Sequence, residues 1–353
     1  MSHITQINIK NYKSIRDLSI DLSMGLNVII GKNGSGKTNF VNAVRDLVEN
    51  NIEEDNGELS LEISYKASTL NIKADFKNTN SHSKYLYIYG GKIDDNDFEN
   101  ENDRVGFDYE LFCFAYITNG MAFIHYGIPF HKIETLKITE NGNIKVEPNY
   151  PIFTKIIQNN WLQKDEKMKA FVKHMLLFPS ELCEYLNAYS PIQSVRFNQM
   201  RVIDYIEHNK KVYDNIQIQF QVNGEWLYWQ QLSDGTRRLF YLITEIYLAN
   251  GIIFIEEPEL GIHPHQLHDL MRFIQTQAKT KQIVITTHSP QVINYLSSDD
   301  LGKLIVCEMT ENSTKMRHLT DRQTKKAQQY MKTELSLGDY WLHSDLEPSN
   351  PYL

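Results

Sequence analysis

The 353-residue sequence has few cysteines, no long hydrophobic run and no excess of positive charge. Its three cysteines lie far apart in apolar contexts, which excludes a disulfide or zinc framework and favours a reducing compartment. No window reaches the ~18 uncharged apolar residues of a membrane-spanning helix, and the first residues lack the pattern of a signal peptide. A sustained heptad pattern is also missing, which excludes a long coiled-coil arm. We therefore expect a cytoplasmic protein with no membrane partner.

The formal net charge is −8, from 36 Lys and Arg residues against 44 Asp and Glu residues. Any contact with nucleic acid would therefore need a local basic patch, because the overall charge repels phosphates. Composition leaves nucleic acid open as a partner but does not indicate it. With 41% hydrophobic residues, the chain has enough apolar material for a sizeable core.

The most informative segment is a complete phosphate-binding loop, G-x-x-x-x-G-K-S/T, at residues 31–38. An apolar run at 26–30 predicts a strand before it, and an apolar stripe over 38–49 predicts a helix after it. Glycines let such a loop curl so that its N–H groups point at a phosphate, and the helix adds its positive end. The sequence thus predicts a nucleoside-triphosphate site with Mg²⁺, formed by Gly31, Asn33, Gly34, Ser35, Gly36, Lys37, Thr38 and Asn39.

A second apolar run, at 252–255, ends in the paired carboxylates Glu256 and Glu257. Two adjacent acids beside a phosphate loop can divide the work of hydrolysis. We assign Glu256 to the metal ion, together with Thr38, and Glu257 to the attacking water. There are two alternative interpretations. In one, the acids simply begin a solvated loop, and in the other they form a metal-nuclease cluster with His263, His265 and His268.

Two further segments have weaker signals when each is taken alone. The apolar run 282–287 leads to His288, whose imidazole could contact the γ-phosphate. Ser233 and Gly235 precede a predicted helix at 239–248, whose N-terminus could bind an anion. An ordinary helix N-cap explains the second segment equally well.

In this order the segments resemble the ATP-binding-cassette (ABC) class of ATPase heads. The resemblance is to RecF/SMC-like bacterial AAA-family ATPases of anti-phage defence systems, which are related to the ATPase part of OLD-family proteins. Residues 232–235 resemble the signature motif of that class, 256–264 its Walker B segment, His288 its switch histidine and 9–15 its first strand. The chain departs from the class in having Glu256 at the usual aspartate position. The glutamine loop is unassigned, since Gln193 and Gln199 are candidates by proximity only.

The resemblance implies an ATPase in which Glu257 and His288 are catalytic. It also implies a homodimer or higher homo-oligomer, because Ser233 and Gly235 would contact ATP bound to Lys37 of a second protomer. The output would be a signal to a separate effector protein, a nuclease or toxin. The alternative is a RecF-like DNA repair or maintenance ATPase that closes on duplex DNA, with basic candidates Arg196, Arg201, Lys210, Lys211, Arg237, Arg238 and residues 322–326.

The expected fold is an α/β, ABC-type P-loop ATPase head with a mostly parallel sheet, an antiparallel β-rich insertion and a helical lid. Five regions follow from the changes in pattern. They are an N-terminal P-loop lobe (1–55), the β-rich insertion with a hairpin signal at 141–142 (56–150), the helical lid (151–214), a C-terminal ATPase lobe (215–335), and a loosely packed terminal segment (336–353).

Overall fold

The computed structural model describes residues 3–48, 57–65, 68–76, 86–93, 96–98, 121–124, 135–139, 144–147, 178–198, 201–205, 210–249, 251–333 and 336–343. The chain divides into two compact units. The first comprises Met1–Tyr126, Ala249–Glu259 and Ile274–Leu353, and the second comprises Gly127–Leu248 and Leu260–Phe273. Among the described helices, none combines the length and the apolar character that a membrane crossing requires.

The first unit contains a six-stranded antiparallel sheet with the order β2-β1-β4-β5-β6-β7. Its strands are β1 (His3–Tyr12), β2 (Ile15–Asp21), β4 (Gly57–Tyr65), β5 (Ser68–Phe76), β6 (Leu86–Ile93) and β7 (Asn96–Phe98). In β2, buried Leu18 and Ile20 alternate with exposed Ser19 and Asp21, as expected for a sheet with one buried face. Strand β4 pairs with β1, so the strands after residue 56 continue the N-terminal sheet. Alternation of apolar and polar residues predicts these strands but does not show with which strand they pair. Residues 1–55 and 56–150 are therefore assigned to different regions from the sequence alone.

The first unit also contains a six-stranded sheet with the order β19-β18-β3-β17-β16-β8. Its strands are β3 (Leu26–Ile30), β8 (Ala122–Ile124), β16 (Ile252–Glu256), β17 (Gln282–Thr287), β18 (Leu304–Thr310) and β19 (Ser313–His318). All neighbours run parallel except β18 and β19, which form a hairpin. Strands β3, β16 and β17 are buried at every position, which explains their continuous apolar sequences. The mostly parallel sheet predicted from the sequence is confirmed.

Helix α1 (Lys37–Val48) follows β3 after the phosphate-binding loop. Its apolar stripe, which includes Phe40, Val44 and Leu47, belongs to one core cluster with residues of both sheets of the first unit. The Phe40 side chain is fully buried, and its removal would cost about 3–5 kcal/mol of stability. The loop is therefore held between a buried strand and a buried helix face.

The second unit contains two antiparallel sheets and helices. One sheet has the order β10-β9-β13-β12 and the other β11-β14-β15. The strands are β9 (Thr135–Thr139), β10 (Ile144–Glu147), β11 (Ile192–Phe197), β12 (Arg201–Tyr205), β13 (Lys210–Ile216), β14 (Ile218–Val222) and β15 (Glu225–Tyr228). Pairing of β9 with β10 confirms the predicted hairpin, although its turn at 140–143 lies outside the described residues. Helices α2 (Ser180–Tyr189) and α3 (Asp234–Leu248) lie in this unit, and α4 (Pro264–Gln277) begins there.

The prediction of a helical lid over 151–214 is wrong for its second part. Residues 192–197, 201–205 and 210–216 are strands, whereas α2 is helical as expected. Buried Ile192 and Val195 in β11 are separated by polar residues, and β-branched side chains are frequent across all three segments. The helical spacing that motivated the lid ends near residue 188, and its part over 151–177 lies outside the described residues.

Residues 336–343 are packed more firmly than the sequence predicts. After α5 (Pro290–Ile293) and α6 (Asp321–Lys332), the chain forms α7 (Leu337–His343), in which Leu337, Tyr340 and Trp341 are buried. The Gly338 N–H donates to Asn294 Oδ1 at 2.6 Å, and α7 packs against α5. The expectation of a loosely packed segment is thus wrong for these residues, and 344–353 lie outside the described part of the chain.

Candidate functional site

The phosphate-binding loop joins β3 to α1, as the sequence predicts. Lys37 is the first residue of α1 and is 5% exposed. Its Nζ donates to the carbonyl oxygens of Gly31 at 2.8 Å and Lys32 at 3.0 Å. The ammonium group therefore links the end of the loop to its beginning. Burial lowers the pKa of Lys37, whereas Cys307 and the carboxylates of Glu256, Glu257 and Glu259 act in the opposite direction.

Glycine is required by geometry within this loop. Gly36 has a φ of +102°, and a Cβ there would lie 1.9 Å from Thr314 Oγ1 on β19. Gly34 also has a positive φ of +80°, but a Cβ there would meet nothing within 4 Å. The loop is thus tightly packed at Gly36 and open at Gly34.

A polar cluster that the sequence analysis missed braces the loop next to Gly36. Ser14 Oγ lies 2.7 Å from Thr314 Oγ1, and Asn39 Nδ2 donates to Ser14 Oγ at 2.7 Å. The Thr314 N–H also donates to the Ser14 carbonyl oxygen at 2.8 Å. Asn39 therefore contacts the turn between β1 and β2, while Thr38 beside it is exposed.

Ser35 adds an unusual feature to the loop. Its Oγ is buried, and within the described part of the chain it has no hydrogen-bond partner. Its carbonyl oxygen accepts a weak hydrogen bond from Cys307 Sγ at 3.4 Å. Burial raises the pKa of Cys307 to about 11, so this thiol is neutral beneath the loop. A buried hydroxyl without a partner fits a loop that is completed by a polar ligand.

Glu256 and Glu257 lie at the carboxyl end of β16, as predicted. Glu256 is 5% exposed and pairs in register with Thr286 of β17. Glu257 has a φ of +46°, a left-handed conformation that is uncommon for a non-glycine residue and is often found at functional sites. Its N–H still donates to the Thr286 carbonyl oxygen at 2.8 Å, so this conformation is fixed by the sheet.

His288 follows β17, the strand between β3 and β16. Its Nδ1 lies 3.2 Å from Glu257 Oε1, so the two predicted catalytic residues are in contact. An ionised carboxylate only accepts hydrogen bonds, so Nδ1 must carry the hydrogen in this contact. The Nε2 atom of the ring then takes no part in the contact with Glu257.

Glu259 is a site residue to which the sequence analysis gave no role. Its side chain is 9% exposed, and its Oε1 accepts from Thr287 Oγ1 at 2.5 Å and lies 3.7 Å from His288 Nδ1. Burial raises the pKa of Glu259, and the hydrogen bond from Thr287 opposes this shift. The only sequence signal for it is that a third acid follows the Glu256-Glu257 pair.

The signature segment lies in the second unit, at the start of α3. Ser233 is exposed, and its Oγ accepts from the Thr236 N–H at 3.2 Å, which is the geometry of a helix N-cap. A Cβ at Gly235 would lie 3.2 Å from Gln266 Oε1 and 3.3 Å from the Gly261 carbonyl oxygen. The N-cap interpretation is therefore confirmed, and contact of Ser233 and Gly235 with a nucleotide stays a prediction.

The alternative of a metal-nuclease cluster finds no support. Across the described ranges, no group of three or more His, Cys, Asp or Glu residues could hold a metal ion. The rings of His263 and His265 stack with centroids 5.4 Å apart, and Pro264 begins α4 as the sequence predicts. Gln193, a candidate for the glutamine loop, accepts from the Gly224 N–H at 2.8 Å, and Gln199 lies outside the described residues.

Two of the basic candidates for DNA contact make local interactions. Arg196 stacks on the Trp226 ring, with its guanidinium carbon 3.8 Å from the ring centroid. Arg237 donates to the carbonyl oxygens of Trp229 and Gln230, both at 3.0 Å, and so fixes the turn before α3. These contacts explain both arginines without nucleic acid.

Comparison with known proteins gives matches along most of the chain. A family model described as an AAA ATPase domain matches residues 3–177, and one described as an AAA domain, putative AbiEii toxin, Type IV TA system, matches residues 157–294. An ATP/GTP phosphatase of Helicobacter pylori is 21% identical over 332 residues, which cover 83% of this chain and 87% of that protein. A Septu protein PtuA of Bacillus thuringiensis is 22% identical over 333 residues, which cover 86% and 76%.

Solved structures give a matching fold. The crystal structure of an SMC head bound to the C-winged helix domain of ScpA aligns with a TM-score of 0.58 and 14% identity, over 91% of this chain and 99% of that one. At this identity the similarity establishes the fold alone. Together with the family models and the relatives, it shows that the chain is similar to AAA-family ATPases and has the fold of an SMC head.

Proposed function

We propose that this chain binds ATP with Mg²⁺ in the 31–38 loop and hydrolyses it to ADP and phosphate. One observation carries the proposal: Lys37, Glu257 and His288 follow the carboxyl ends of β3, β16 and β17, three consecutive strands of one parallel arrangement. Ligands of parallel sheets bind at this edge. The 3.2 Å contact between Glu257 and His288 supports a catalytic role for the pair.

The loop residues fit a triphosphate and its metal ion. Glycine at 34 and 36 permits the curled backbone, Lys37 supplies the cation, and the buried Ser35 hydroxyl supplies an unused polar group. Gly31, Asn33, Thr38 and Asn39 complete the set that would hold ATP. Thr38 and Glu256 would hold Mg²⁺, which supplies charge stabilisation for the terminal phosphate when bound. Glutamate in place of aspartate keeps the charge of that ligand.

Glu257 would accept the proton of the attacking water. Its side chain is 21% exposed, so water can reach it, and the bond from its N–H to Thr286 fixes its backbone. His288 donates its Nδ1 hydrogen to the Glu257 carboxylate and so holds that carboxylate in place.

We further propose that two copies bind two ATP molecules between them, with Ser233 and Gly235 of one copy contacting ATP held by Lys37 of the other. The SMC-like fold and the exposure of Ser233 at the N-terminus of α3 support this arrangement. ATP would then stabilise association, and hydrolysis would end it. The change between the associated and the separated copies would be the signal that the protein gives.

The recipient of that output would be a separate effector, a nuclease or toxin, in a cytoplasmic anti-phage defence system. The motif resemblance, the similarity to a Septu protein and the match to a model that describes a toxin system support this choice. Co-expression of the chain with the products of neighbouring genes tests it. We expect a co-purifying effector and protection against phage that is lost in Lys37→Ala. ATPase activity that is stimulated by duplex DNA, with no effector and no protection, would favour the RecF-like alternative instead.

Hydrolysis itself is tested by phosphate release from the purified chain with ATP and Mg²⁺. We expect release that stops with a chelator and in Lys37→Ala, because that variant has no cation for the phosphates. Lys32→Ala is the matched control, since Lys32 is an exposed cation in the same loop. Release that is equal in wild type and Lys37→Ala would refute the phosphate-loop assignment.

A further inference from the structure

Glu259 brings a third carboxylate to the site, and the proposed hydrolysis does not use it. Its side chain is 9% exposed. Its Oε1 accepts from Thr287 Oγ1, whereas its buried Oε2 has no partner among the residues that the structure describes. A buried acid with only half of its acceptors used is unfavourable for folding, so its presence calls for a role in the site.

Thr287 connects Glu259 to the backbone on both sides of His288. The Thr287 side chain is fully buried, and its Oγ1 donates to Glu259 Oε1 while accepting from the Ser289 N–H at 2.9 Å. Residues 287 and 289 flank His288 directly. Glu259 therefore helps to fix the backbone segment from which the His288 ring extends.

The same carboxylate also lies close to the ring. His288 Nδ1 is 3.2 Å from Glu257 Oε1 and 3.7 Å from Glu259 Oε1, so two carboxylates face one hydrogen. A carboxylate that keeps this hydrogen bond is a weaker acceptor for a water proton. Glu257 would thus work better if another group took the Nδ1 hydrogen while it turned to water.

We propose that Glu259 is the positioning residue for His288: it fixes the ring through Thr287 and accepts the Nδ1 hydrogen when Glu257 turns to the attacking water. This inference rests on the proposed function, in which Glu257 accepts the water proton. The step moves a hydrogen bond from one carboxylate to another, and the only proton that changes owner is the one that Glu257 takes from water. Burial raises the pKa of Glu259, because desolvation disfavours its ionised form.

The first test needs no nucleotide. Nitrogen-15 NMR of the histidine rings reports which ring nitrogen carries the hydrogen, and the His288 signal is assigned by its loss in His288→Asn. In Glu257→Ala we expect His288 to keep its hydrogen on Nδ1, because Glu259 takes over as acceptor. In Glu257→Ala/Glu259→Leu we expect the hydrogen to move largely to Nε2. Movement already in Glu257→Ala, or none in the double variant, would overturn the proposal.

The second test separates this inference from the proposed function. Glu259→Gln keeps the shape of the side chain and an acceptor for Thr287, but it removes the charge. We expect its kcat to fall by about tenfold with ATP affinity unchanged, as for other residues that orient a catalytic group. Glu58→Gln is the control, since Glu58 is an exposed acid of the same unit.

The outcomes of the second test point to different failures. Wild-type protein without ATPase activity would refute the proposed function and leave the NMR result to decide on Glu259. Active wild type with an unchanged kcat in Glu259→Gln would overturn the role of Glu259. A fall in ATP affinity with an unchanged kcat would overturn it as well, because a positioning residue for His288 acts on turnover.

Discussion

His288 Nδ1 lies 3.2 Å from Glu257 Oε1, although 31 residues separate the two in the chain. The contact forms because β16 and β17 are parallel neighbours that end at the same level, with Glu256 opposite Thr286. Two side chains that follow the ends of such strands are brought together by the sheet itself. The pair therefore depends on backbone pairing more than on its own attraction.

Glu257→Gln is expected to keep ATP binding and to slow hydrolysis by about 10²-fold or more, because an amide cannot accept the water proton. Phosphate release and nucleotide binding measured on the same preparation check both parts. Glu62→Gln is the control for the loss of one negative charge outside the site. Unchanged hydrolysis in Glu257→Gln would refute the assignment of the water-activating carboxylate.

Gly36→Ala is expected to destabilise the nucleotide-free protein more than Gly34→Ala does. Both substitutions place a side chain at positive φ, which costs roughly 1–2 kcal/mol. Only at Gly36 would the new methyl group meet Thr314, 1.9 Å from Oγ1, so β19 or the loop must shift. Thermal unfolding of the two variants measures the difference, and equal melting temperatures would contradict the close packing at Gly36.

Glu259→Gln is expected to raise the stability of the protein at neutral pH. Burial raises the pKa of Glu259 above its ordinary value of 4.5, so the folded state holds the proton more tightly than the unfolded state. The favourable contribution of the protonated carboxyl is present below pH 4.5 and is lost as the pH rises through the folded pKa. Thermal unfolding of both proteins from pH 4.5 to 8 should show a stability gain that grows with pH. A stability gain of Glu259→Gln over wild type that shrinks as the pH rises would contradict the prediction.

The loop at 31–38, the acids after β16 and the histidine after β17 could be predicted from the sequence. Each depends on a local pattern, an apolar run followed at once by a chemical group, and such patterns need no knowledge of distant pairing. Glycine at 36 is part of the motif for the same reason. The N-cap at Ser233 is also local, since it involves only the next three residues.

Contacts between distant residues could not be predicted in this way. Ser14 and Thr314 meet beside Gly36 although 300 residues separate them, and neither residue is assigned a role in the site from the sequence. The role that we propose for Glu259 depends on its hydrogen bond with Thr287, which the sequence does not reveal because the two residues are distant in the chain. The strands at 192–197, 201–205 and 210–216 follow a segment of helical spacing, and the sequence alone does not mark where that spacing gives way to strands. Alternation of apolar and polar residues predicts β4 but does not identify β1 as its partner.

The most direct test of the central claim, that two copies complete each other's ATP site, is the ATPase activity of a mixture of two inactive variants. Lys37→Ala removes the phosphate cation of its own copy, and Ser233→Arg blocks the exposed N-terminus of α3 that would contact the other copy's ATP. Each variant alone should be inactive, and Ser233→Arg should still bind ATP. An equal mixture should regain about a quarter of wild-type activity, since half of the dimers are mixed and each has one intact site. No recovery in the mixture, with both variants folded, would contradict the claim.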